Sequence, residues 1–88
     1  MENKGKYNIR AFYRFVSVPD YIQLKEPILE FCKAHEMKGT ILLAHEGINS
    51  TISGTPENME KFWAYLNSYE YFKDIPFKES YADRQPFE

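Results

Sequence analysis

His45 and Glu46 stand side by side in the stretch GTILLAHEGINSTISG, Gly39 to Gly54, and a histidine beside a carboxylate is a pairing that general acid–base chemistry uses often. Their adjacency works against that use. In an extended or turning backbone, neighbouring side chains diverge, so the two groups would not converge on one proton. The same residues also make good turn chemistry: Gly47 tolerates positive φ, Asn49 can cap the backbone, and Ile48 can anchor the loop in apolar surroundings. Spacing favours the turn.

Two other groups could react. Cys32 and His35, three apart on a helical pattern, could give two of the ligands a tetrahedral zinc needs, with His45 or Glu46 completing the set. They fall on the same apolar stripe as Ile28 and Phe31, where a small free thiol packs as core, and no metal site is expected. As a nucleophile Cys32 is badly placed: it lies near a helix C-terminus, where the dipole disfavours a thiolate. No catalytic residue is assigned within the chain.

The elements that must position these groups follow from periodicity. From Tyr7 to Val16 the odd positions, Tyr7, Ile9, Ala11, Tyr13 and Phe15, alternate with Asn8, Arg10, Phe12, Arg14 and Val16, the period of a strand with one buried face. Leu24, Ile28, Phe31, Cys32 and His35 then recur at helical spacing, the helix starting near Leu24 or, bent at Pro27, near Asp20. Gly39 to Ala44 and Ile48 to Ser53 read as a hairpin. Thr55 and Pro56 make a strong N-cap and first helical position for a second helix with Met59, Phe62, Trp63 and Leu66 on one face. The alternation of Phe77, Glu79 and Tyr81 gives a last strand.

The order is βαββαβ. It predicts an α+β, ferredoxin-like (acylphosphatase-like) domain over residues 1–88, two helices lying on one face of an antiparallel sheet. With the apolar odd residues of the first strand under the helices, the open face carries Arg10, Phe12 and Arg14, joined by Lys38, Thr40, Asn49, Thr51 and Lys78. Basic groups around an aromatic on an open sheet can hold single-stranded RNA, although such a face can equally be covered by another domain. Acylphosphatase chemistry, which the fold invites, needs a cradle of backbone amides after the first strand; Val16-Ser17-Val18-Pro19-Asp20 has no glycine and ends on an acid.

Composition sets the outer limits. Eighty-eight residues make one domain, and seven Phe, seven Tyr and one Trp must supply much of its core. A formal charge of −2 lacks the basic excess common in nucleic-acid binders, so any RNA contact must be local. One cysteine excludes an internal disulfide, the first residues lack a signal-peptide core, and no apolar run nears the roughly 20 residues of a membrane span. A soluble cytoplasmic protein is expected, without a membrane partner.

RAFYRFV, then KGTILLAHEGINSTISG, an amphipathic helix and FKESYAD together resemble the N-terminal domain of the bacterial tRNA uridine 5-hydroxylases that carry a rhodanese domain, from about Tyr7 to Phe87. Glu46, Gly47, Ile48, Asn49 and Thr51 match the family's motif; His45 and Ser50 depart from it, the latter standing where glycine is usual. The resemblance implies oxygen-dependent hydroxylation of a wobble uridine by a longer oxidoreductase whose C-terminal rhodanese domain, absent from this chain, holds the reactive cysteine. Its implied partners are tRNA and that domain, and it names no cofactor. The RNA or domain contacts expected here are Arg10, Arg14, Lys38, Glu46, Gly47, Asn49, Thr51 and Lys78. Two other readings remain open, a docking module that never touches RNA and a stand-alone acylphosphatase-like hydrolase.

Overall fold

A computed structural model of the chain describes residues 6–87. Four strands, β1 (Tyr7–Phe15), β2 (Lys38–Ala44), β3 (Gly47–Gly54) and β4 (Phe77–Ala82), form one sheet in the order β2-β3-β1-β4. Every neighbouring pair is antiparallel. Two helices, α1 (Tyr21–Ala34) and α2 (Pro56–Asn67), link β1 to β2 and β3 to β4, completing the ferredoxin-like α+β arrangement expected from the element order.

The helix boundaries show local chemistry at work. Thr55 caps α2: its hydroxyl accepts from the Asn58 amide at 3.2 Å, and Pro56 takes the first helical position. α1 takes the earlier of its two possible starts, with Asp20 before its first residue, so Pro27 lies inside it and leaves the Gln23 carbonyl without the usual helical donor. After α2, a 3₁₀ turn at Glu70–Phe72 drives Phe72 fully into the core, where it joins Ile28, Ile52, Met59, Phe62, Leu66 and Val18.

One expectation is reversed. It is the even residues of β1, not the odd ones, that lie under the helices: Asn8, Arg10 and Phe12 are buried, whereas Ala11, Tyr13 and Phe15 are exposed. The register extends this parity across the sheet, because directly opposed residues share a face. Arg10 stands beside Ile52 and Glu79, and Phe12 beside Ser50 and Phe77, on the covered side.

Arg10 can be buried because its charge is fully engaged. Its guanidinium pairs with Glu60 of α2 at 2.9 Å and with Glu79 of β4 at 3.3 Å, and its Nε also donates to Asn8 Oδ1 at 3.0 Å. The Trp63 and Phe77 rings lie 4.9 and 4.2 Å from its central carbon, adding cation–π attraction. A buried arginine with these partners ties α2 to β1 and β4.

Candidate functional site

The stretch around His45 is a hairpin turn. Ala44 pairs with Gly47, leaving His45 and Glu46 as a two-residue loop with exposed side chains. Their carbonyls do the work: Val18 donates to that of His45 at 2.8 Å and Val16 to that of Glu46 at 3.0 Å, fastening the turn to the segment that leaves β1. Gly47 is required at the seam. Its φ is +141°, and a β-carbon there would run into the Arg14 carbonyl. Ile48 is buried as an anchor, as expected, but Asn49 lies two residues past the turn in β3 and caps nothing.

That fastening also bears on phosphate chemistry. The Val16 and Val18 amides, which would have to face an anion in an acylphosphatase cradle, are already donating to the hairpin, and Pro19 has no amide hydrogen. Arg14 is committed as well: its guanidinium donates to the carbonyls of Tyr71, Lys73 and Asp74 at 3.2, 2.9 and 3.4 Å. The segment after β1 is therefore a structural clasp.

Cys32 is buried, and burial pushes its thiol up from 9.0 to about 11, away from a reactive thiolate. His35 stacks on Phe31 with ring centres 4.0 Å apart, its Nδ1 3.0 Å from the Phe31 carbonyl. Among the described residues no three His, Cys, Asp or Glu side chains gather as metal ligands do. Tyr71 and Tyr65 are also held protonated, Tyr71 by donating to Asp20 and Tyr65 chiefly by burial, with the Tyr69 hydroxyl adding to it.

The open face of the sheet is the surface left without a covering element at its upper end. Its rows, read across β2-β3-β1-β4, run Lys38-Ser53-Ile9-Ser80, then Thr40-Thr51-Ala11-Lys78, then Leu42-Asn49-Tyr13, and finally Ala44-Gly47-Phe15. The lower end closes, with Ser53 fully buried and its hydroxyl unpartnered; the upper end opens, with Leu42 and Tyr13 each 62 % and Phe15 86 % exposed. The Tyr13 and Phe15 rings lie 5.7 Å apart. Between Tyr13, Asn49, Thr51, Pro76 and Lys78 runs an open groove of about 640 Å³ floored by Ala11. Within these rows the only charged residues are Lys38 and Lys78.

The pattern described as "UPF0176 acylphosphatase like domain" matches residues 7–88. The chain belongs to this family. Its curated relatives include proteins named tRNA uridine(34) hydroxylase from Anaplasma marginale (strain Florida), 43 % identical over 92 % of the chain, from Teredinibacter turnerae, 46 % over 92 %, and from Sinorhizobium medicae, 42 % over 98 %. The chain spans 29 %, 25 % and 27 % of their respective lengths.

In this member of the UPF0176 acylphosphatase-like family the expected contact residues are divided. Lys38, Asn49, Thr51 and Lys78 do share the open face, and Glu46 and Gly47 form its upper rim, Gly47 as buried backbone. Arg10 and Arg14 do not belong there: one is buried beneath α2, the other is tied to three carbonyls on the covered side. Tyr13, Phe15, Leu42 and Ala11 take their place. Their signal was present as apolar alternation, but alternation of that kind reads as core. Ser50 also lies on the covered side, and its hydroxyl is satisfied by the Thr40 carbonyl at 2.8 Å.

Proposed function

We propose that this chain is the accessory module of a tRNA uridine 34 hydroxylase, in which the open sheet face holds a partner while hydroxylation at C5 takes place on another domain, a rhodanese domain with a reactive cysteine. The observation that carries this reading is the contrast within the chain itself. Cys32 is buried, Arg14 is engaged and the exposed His45 and Glu46 are confined to the turn at the rim, while the rows of the open face present aromatic and hydroxyl groups and carry no acid. Such a surface binds; it offers no nucleophile, base or anion cradle. The names of the relatives supply the reaction, and their greater length leaves room for the domain that performs it.

The module's proposed contacts are Lys38, Asn49, Thr51 and Lys78 on the face and Glu46 and Gly47 at its rim. Arg10 and Arg14 serve the fold. Deleting the gene that encodes this chain and reading position 34 of bulk tRNA by mass spectrometry tests the assignment. Loss of the 5-hydroxyuridine-derived nucleosides, restored by the intact gene, is expected; unchanged position 34 would reject it.

A further inference from the structure

The open face has a chemical pattern of its own, and we propose that its upper half is a seat for unpaired RNA nucleotides: one base stacked on Tyr13 in the groove floored by Ala11, the next on Phe15, with Asn49 at a base edge and Lys78 at a phosphate. This rests on the tRNA reading above and names the occupant of the surface.

Three features favour RNA over protein. First, Tyr13 and Phe15 present adjacent, exposed rings, and base–aromatic stacking is the sequence-tolerant element of single-strand recognition. Second, beside Ile9, Ala11, Leu42 and the two lysines the rows carry the uncharged polar groups of Thr40, Thr51, Asn49 and Ser80, which suit base edges and ribose hydroxyls, whereas an apolar protein surface would leave them unpaired. Third, the charges within the rows, Lys38 and Lys78, are both positive, so a phosphate meets attraction at their edges, and the acid Glu46 lies at the rim beside Phe15.

The groove has the size and shape for a base. About 640 Å³ lies within the range of small-ligand sites, and the depth comes from Ala11, which pairs with Thr51 on one side and Lys78 on the other. Any longer side chain at position 11 would fill the floor. The Asn49 amide, directly opposite Tyr13, has no hydrogen bond among the described residues and carries both a donor and an acceptor, the combination that the edge of a pyrimidine complements. A duplex would not fit this arrangement, because its bases are stacked on one another and closed to both rings.

The test is fluorescence titration of the intact gene product with a labelled stem–loop RNA carrying an unpaired loop, and with the same sequence closed as a full duplex. The loop should bind more tightly. Tyr13→Ala and Ala11→Leu should each weaken loop binding tenfold or more, Tyr13→Phe should retain it, and Lys78→Ala should shallow the dependence of log affinity on log salt by about 0.7. Ala11, Tyr13 and Lys78 are all exposed, so circular dichroism melts of the four variants should match the parent and separate a lost seat from a lost fold. Equal affinity for loop and duplex would overturn the proposal. So would parent-like binding by both Tyr13→Ala and Ala11→Leu, the result expected if a protein occupies the face instead. If gene deletion abolishes hydroxylation at position 34 but both variants bind and restore it fully, the base seat falls and the enzymatic assignment stands.

Discussion

The two sides of β1 show opposite solutions to the same problem of placing polar and apolar groups on a sheet. On the covered side, Arg10 is 6 % exposed yet has its charge matched by Glu60 and Glu79 and lies against the rings of Trp63 and Phe77. On the open side, one residue away, Ala11 and Tyr13 face outward and Phe15 is 86 % exposed. A buried cation is tolerated when its donors are used and its face is packed, whereas an exposed aromatic costs little in a soluble fold and marks a place where something else can be bound. Burial and hydrophobicity therefore part company in this strand. The covered side serves the fold, and the open side leaves its aromatic rings to solvent.

Substitutions can break that division in order of size. Arg10→Ala should cost about 3 kcal/mol, since it removes two ion pairs, a hydrogen bond to Asn8 and the packing against two rings, and it should lower the melting temperature by more than about 10 °C in a thermal melt. A melt unchanged by this substitution would show that the covered side does not depend on its cation.

Cys32 gives the next largest effect. With its pKa moved from 9.0 to about 11, the native thiol should alkylate about a hundredfold more slowly at pH 8 than the same thiol in the unfolded chain. The linkage has a definite sign. The folded value is raised above the unfolded one, so the unfolded chain releases its proton first, and stability present below pH 9 is lost as pH rises towards 11. Thermal melts across that interval, compared with those of Cys32→Ala, measure it.

The two carboxylates around Arg10 sharpen the picture at smaller scale. Glu79, whose side chain is 37 % exposed, should cost about 0.5–1 kcal/mol as Glu79→Gln; Glu60, 71 % exposed and screened by water, should cost under about 0.5 kcal/mol as Glu60→Gln. Urea titrations resolve that difference. Smallest of all, Tyr13→Ser and Phe15→Ser should leave stability within about 0.5 kcal/mol of the parent, because both rings are exposed. A large loss there would mean the open face belongs to the core after all.

Much of the architecture was legible in the residues. Thr55-Pro56 marked the start of α2 to the residue, the glycine-bounded motif marked a hairpin, and the element order specified the sheet. The site was less legible. Lys38, Asn49, Thr51 and Lys78 lie on the open face as expected, but taking the odd residues of β1 as the buried set puts Arg10, Phe12 and Arg14 outside and Tyr13 and Phe15 inside, the reverse of what the structure has. Periodicity does not see partners distant in sequence: Glu60 is fifty residues from Arg10, and the carbonyls that hold Arg14 lie in the segment before β4. Asn49 was misjudged for a local reason, since a turn of two residues ends before it.

What the amino-acid sequence determined by itself was local and periodic: where strands and helices begin, that the GTILLAHEGINSTISG stretch turns back on itself around His45 to Gly47, and that β1 has two unlike faces. An alternation of period two records that the faces differ. It holds no information about which one the helices will cover, because that depends on where α2 crosses the sheet and on the side chains it brings. Tertiary structure made that decision, by carrying Glu60 and Trp63 over Arg10 and leaving Tyr13 and Phe15 open to a partner.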